Sequence, residues 1–208
     1  MRFIDKRKFF ALFMLLILSF TLLISYAKAT GSDIADSVLR LHIIANSDNT
    51  ADQNLKLAVR DRILRETKEI FENSKSASDA ARLAEENTAF IKEIAEAEIL
   101  AQGFNYPVSV TIEETAFPTR VYADIALPSG RYNAVRVKIG DAKGQNWWCV
   151  MYPPLCFTDG ILCASDKSKS QLATSLSADE YALITGKDCG AIPVEVRFKI
   201  VEIFQNLF

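Results

Sequence analysis

Apolar and polar positions along this chain change period several times, and each change predicts an element. Phe9 to Ile24 is an apolar run broken only by Ser19 and Thr21. Val38 to Ala45 (V-L-R-L-H-I-I-A) is a second, shorter apolar run that suits a β-strand, and it ends in the turn formers Asn46-Ser47-Asp48-Asn49. Thr50 followed by Gln53 has the form of a capping box, predicting a helix from Ala51 to about Asn73. A polar link at Ser74–Ser78 precedes a second helix, from about Asp79 to just before Gly103. Its apolar positions Leu83, Phe90, Ile94 and Ala97 keep helical spacing.

After Pro107 the period becomes two. Val108, Val110 and Ile112 alternate with polar residues, as do Val121, Ala123, Ile125 and Leu127, and then Val135, Val137 and Ile139. Turns are expected at Pro128–Gly130 and Gly140–Gly144, and the next strand at Trp147–Tyr152. Successive alternating strands with short turns read as an antiparallel meander. Ser165–Ser175 reads as a polar connection. Ser177 and Glu180 form a capping box that opens a short helix closed by Gly186. The tail from Pro193 alternates like a strand at first, but Pro193 suits a first helical position and favours helix. The expected fold is α+β: a short strand, two helices packed on an antiparallel β-meander, and C-terminal helical segments.

Charge adds a compartment. Arg2, Lys6, Arg7 and Lys8 precede the first apolar run, and Ala27-Lys28-Ala29 follows it with small residues at the two positions that a signal peptidase reads. That order is an export signal, and its apolar run is shorter than the roughly 20 residues of a membrane span. Residues 1–29 are therefore expected to be the signal, cleaved near Ala29 or kept as an anchor, and residues 30–208 one extracytoplasmic domain. The first 29 positions hold five basic residues and one acidic. Removing them from totals of 24 and 26 leaves 19 basic against 25 acidic, a net charge of −6. An acidic domain without a basic cluster is a poor partner for nucleic acid, and membrane contact is expected only through an uncleaved signal.

The candidate chemistry is sparse. No C-x-x-C or H-E-x-x-H occurs and there is one histidine, so neither a metal site nor a cofactor is expected. Lys56 and Arg60 lie one turn apart, between two apolar stripes of the first predicted helix. Either that helix packs on two sides while the basic stems run out along a groove, or the cations engage carboxylates or loop atoms. Asp48 and Asp61 are the nearest acids, and in the second case the Asn46–Asn49 loop becomes a preorganised contact surface. Cys149 and His42 could in principle form a thiol–imidazole pair, which makes a secreted cysteine hydrolase the alternative function. A disulfide between Cys149 and Cys156 competes with it. Seven extended residues span about 23 Å, whereas bridged Cα atoms sit about 5.5 Å apart, so the bridge requires a reversal, which Pro153-Pro154 can supply. Cys163–Cys189 is a second possible pair. Trp147 and Trp148 must point to opposite faces of their strand. Of the two, Trp148 beside the Pro153-Pro154 turn is the expected anchor for a protein partner.

Two stretches carry a resemblance. Leu39-Arg-Leu-His-Ile-Ile-Ala-Asn-Ser-Asp48 with Asp52-Gln53, Lys56 and Val59-Arg60-Asp61, and then Asn146-Trp-Trp-Cys-Val-Met-Tyr-Pro-Pro-Leu-Cys-Phe157, resemble the stage II sporulation protein R family. The resemblance implies a signalling protein of endospore-forming bacteria, made in the forespore and exported into the space between forespore and mother cell. There such a protein activates a membrane-embedded aspartic protease that processes the sigma-E precursor. It implies no catalytic residue. The expected contact surface combines Asn46, Asp48, Lys56 and Arg60 with Trp148, Pro153 and Pro154.

Overall fold

The computed structural model describes residues 6–122, 124–156 and 164–185, the side chains of Ala27 and Lys28 excepted. The expected helix at Pro193, the closing Gly186, and Cys163 and Cys189 lie outside these residues. The chain is mixed α and β. Helix α1 (Lys6–Asp36) leads into β1 (Leu39–Ile44), followed by α2 (Thr50–Glu72), α3 (Ala77–Glu86) and α4 (Thr88–Ala101). Then come β2 (Val108–Phe117), β3 (Arg120–Tyr122), β4 (Ile125–Leu127), β5 (Gly130–Ile139), β6 (Asn146–Tyr152), α5 (Asp166–Ser175) and α6 (Ala178–Ile184).

The strands do not form a meander. The main sheet has the order β2-β5-β1-β6, with β1 parallel to β5 and antiparallel to β6. All six residues of β1 are buried. A strand without a wet side belongs in the middle of a sheet covered on both faces, and β1 takes that place by inserting between β5 and β6. Its odd positions Leu39, Leu41 and Ile43 join Val135, Val137, Cys149 and Met151 beneath α2–α4, a first core that includes Val59, Ile63, Phe71, Ile91 and Ile99. Its opposite face carries Arg40 and His42 toward a second core. Phe117, Tyr132, Val150, the β3–β4 pair, Leu172 of α5 and Ile184 of α6 build that core, with Ile34 and Val38 from the end of α1 and just beyond it.

Four local departures from expectation occur, and capping chemistry explains three of them. Asn49, not Thr50, caps α2, its Oδ1 accepting from the Asp52 N–H at 2.7 Å, while Gln53 donates to the Ser47 carbonyl at 2.8 Å. The second helix is two helices. Asn87 Nδ2 donates to the Leu83 carbonyl and Thr88 Oγ1 to that of Ala84, so side chains take over backbone acceptors where α3 ends. Val121–Leu127 is not one strand but the β3–β4 antiparallel pair. Ser165–Ser175 is not a connection: Ser165 caps α5, accepting from the Ser168 N–H. The capping box at Ser177 and Glu180 forms as expected.

Helix α1 is 31 residues long, and its apolar part is exposed. By length and composition it could cross a membrane, and it suits an export signal equally. It continues past Ala29, and Ile34 near its end is 1% exposed in the second core.

Candidate functional site

Insertion of β1 has a topological consequence at its C-terminal end. The β5–β6 connection must pass over β1, where the chain leaves through Asn46–Asn49. The two loops therefore meet, and Asn46, Ser47, Asp48, Asp52, Gln53 and Lys56 of the first motif serve that meeting. Lys143 and Gly144 donate their N–H groups to the carbonyls of Asn46 and Ala45 at 3.1 and 3.0 Å. Asn46 Oδ1 accepts from the Asp141 N–H at 2.9 Å, and Asp48 Oδ1 from the Gln145 N–H at 2.7 Å. Contact is so close that a Cβ on Gly140 would strike the Asn46 side chain, and one on Gly144 the Ser47 carbonyl. Gly140 also has φ +57°, where glycine is favoured.

Asp52, 1% exposed, is the hub beneath this corner. Its Oδ2 accepts from Ser47 Oγ at 2.6 Å, Asn46 Nδ2 at 2.8 Å and Asn49 Nδ2 at 3.1 Å. Burial works to raise its pKa, and these donors outweigh burial and hold the carboxyl below its ordinary value. Lys56 is 4% exposed, and its ammonium donates to Gln53 Oε1 at 2.6 Å and to the Gln145 carbonyl at 3.0 Å. Burial pushes that ammonium's pKa down, with Asp48 opposing. Lys56 thus engages loop atoms, while Asp48 bonds to the second loop. Arg60 takes a separate course: it pairs with Asp61 at 2.6 Å and lies over the Trp147 ring, 4.3 Å from its centroid.

The other end of the β1–β6 pair differs. Leu39 lies opposite Tyr152, so the chain after β6 turns beside the start of β1. Tyr152–Pro153 is cis. Cys149 and Cys156 are disulfide-bonded, their Cα atoms 6.0 Å apart, with Pro153, Pro154 and Leu155 buried between them. Ser168 Oγ of α5 donates to the Pro154 carbonyl at 3.2 Å. These prolines are consequently not an exposed platform. Trp148 is half-buried, stacked on His42 at 4.0 Å and edge-on to Phe117 at 4.7 Å. Its ring lies on the sheet face opposite Trp147.

The expected contact surface therefore divides. Asn46, Asp48, Lys56 and Arg60 come together at one end with Trp147, whereas Pro153 and Pro154 lie at the other end of β6 and Trp148 on the other face. The cysteine-hydrolase pairing also fails on geometry. Cys149 is bridged and points into the first core opposite Leu41, while His42 points the other way and contacts Asn146 Oδ1 through Nε2 at 2.8 Å. Burial lowers the His42 pKa, and Arg136 adds to that effect. Sequence reasoning missed Asp52 as the hub, the two glycines, and Arg40. The last is fully buried, its guanidinium 4.2 to 5.4 Å from the ring centroids of Phe117, Tyr132 and Tyr122, donating to the Tyr122 hydroxyl and the Cys149 carbonyl. A charged residue in an apolar strand was the available signal. No group of three or more metal-binding side chains occurs among the described residues.

Comparison with known proteins bears on all of these residues. The sequence model of the stage II sporulation protein R family matches residues 35–161, a span that holds both corners. Stage II sporulation protein R of Bacillus subtilis strain 168 is 33% identical over 186 residues, covering 84% of this chain and 83% of that protein. No solved structure matches the chain. By the matched span and this identity, the chain belongs to the stage II sporulation protein R family.

Proposed function

We propose that this chain is a sporulation signal exported from the forespore into the space facing the mother cell. There it activates a membrane-embedded aspartic protease, which then processes the sigma-E precursor. The single observation that carries the reading is family membership across both motifs. The exposed apolar part of α1 supports export, and the bridging of Cys149 removes the nucleophile that a cysteine hydrolase would need.

The contact surface in this reading is the braced corner. Asn46, Asp48 and Lys56 hold its shape, and exposed Asp61 lies at its margin with the partly exposed Arg60 and Trp147. Trp148, Pro153 and Pro154 serve the fold instead. Activation is a population shift: the signal binds the active protease state more tightly than the inactive one. The test is reconstitution in a host that does not sporulate, by co-expressing precursor and protease with and without this chain. Cleavage that rises only when the chain is present and exported supports the reading. Cleavage indifferent to the chain contradicts it.

A further inference from the structure

The bridge lies at the seam between the two cores. Cys149, 1% exposed, belongs to the core under α2–α4. Cys156 packs against both that core and the second one, and it retains partial exposure. The corner it closes is the dock for α5, because the Pro154 carbonyl accepts from Ser168, a residue with no exposure at all. From α5 the second layer continues outward. Lys169 pairs with Asp124 in the β3–β4 turn at 2.6 Å, Leu172 fills the core, and Ile125 bridges Thr185 after α6. The first core also touches the corner, through Cys149, Tyr152 and Cys156, but it has its own helices, the Asp52 hub and the β1–β5 ladder besides.

We propose that the Cys149–Cys156 bridge is an export-gated latch: the α5–α6 layer docks only once the bridge has formed. The idea rests on the reading of the chain as an exported signal. In a reducing cytosol both cysteines remain thiols. The corner is then closed by contacts alone, and α5–α6 is held loosely while the first core stays folded. After export, a disulfide-bearing exchange partner reacts with Cys156, the sulfur with access, to give a mixed disulfide. Cys149 displaces the partner. The two cysteines lose two protons and two electrons, and the partner's disulfide becomes two thiols. In this proposal signalling needs the docked layer in addition to the braced corner, so a chain still inside its producing cell is silent.

Hydrogen exchange on the full chain in detergent, before and after reduction, tests the latch. Reduction is expected to speed exchange in residues 166–184 roughly 50- to 100-fold, the ratio that corresponds to the closure entropy of so short a loop, and to leave β1 and β5 unchanged. The Cys149→Ser, Cys156→Ser double variant should match the reduced wild type. Wild type re-oxidised after reduction should regain protection, which keeps the test valid if the variant folds poorly. Unchanged exchange in α5–α6, or equal acceleration in β1 and β5, overturns the latch. So does recovery of exported chain with both cysteines alkylatable. In the reconstituted cleavage assay, a wild type that stimulates cleavage beside an equally active double variant defeats the latch alone. A wild type that stimulates nothing defeats the signalling reading.

Discussion

The two ends of the β1–β6 pair are solved by opposite means. At the Asn46 end, two crossing loops are held by side-chain and backbone hydrogen bonds around one buried carboxylate, with glycines where the loops touch. At the Tyr152 end, a buried proline corner is closed by a covalent bond and covered by α5. The first end depends on protonation and on volume at two glycines; the second depends on redox state. In the proposed reading the polar brace keeps Arg60 and Asp61 at its margin for a partner, whereas the buried corner offers outward only the partly exposed Cys156. The difference separates presentation from closure within one chain.

Loss of the hub should break the first end most severely. Asp52→Ala removes the acceptor shared by half-buried Ser47 and Asn46 and by exposed Asn49, and hydrogen bonds to a charged group contribute about 1.5–3 kcal/mol each. Chemical denaturation should show a loss of about 3 kcal/mol, with Asp61→Ala, an exposed partner, near zero. If the two variants match, the hub is not what holds the corner. At the second end, the Cys149→Ser, Cys156→Ser variant should lose about 2.5 kcal/mol from the local opening of α5–α6, read by hydrogen exchange, from the entropy of a short closed loop. A change near zero would mean that burial alone closes the corner.

Gly144→Ala should cost about 2 kcal/mol, within the range for overpacking, because its Cβ meets backbone at Ser47, which cannot swing aside as a flexible side chain would. Gly31→Ala, with open space around it, should not destabilise. Smaller still is the pH effect of His42. Its folded pKa lies below its ordinary 6.5, so the unfolded chain binds the proton first. That stability is complete above about pH 6.5 and is lost as pH falls through the folded pKa. Thermal melts from pH 7.5 to 5 should decline for wild type and less steeply for His42→Gln. Parallel curves would contradict the assignment.

How much of this was legible in the sequence follows from which interactions are local. Helix α2, β6, the capping box at Ser177 and the reversal between Cys149 and Cys156 could be read because periodicity, capping residues and proline act over a few residues. Strand order could not, because alternation in β2 and β5 says nothing about which neighbour β1 chooses. The burial of all six β1 residues shows its central place only in the structure, because Arg40 and His42 interrupt its apolar run. Helix α5 was missed because only Ser168 and Leu172 of its ten residues are buried, too few to make a stripe. At the site, Lys56 and Arg60 stood out as cations between apolar stripes. The split of Pro153, Pro154 and Trp148 from that corner needed the register, and the glycines needed the loop crossing.

The most direct test of presentation at one end against closure at the other is precursor cleavage in the reconstituted host with Arg60→Ala. This variant removes a side chain that is 18% exposed and should melt within about 2 kcal/mol of wild type, the worth of a partly desolvated cation–π contact. With export and melting matched to wild type, cleavage should fall at least about tenfold, the effect of roughly 1.4 kcal/mol of lost contact. Cleavage at the wild-type rate from an exported, folded Arg60→Ala chain would contradict the assignment of the braced corner as the signalling surface.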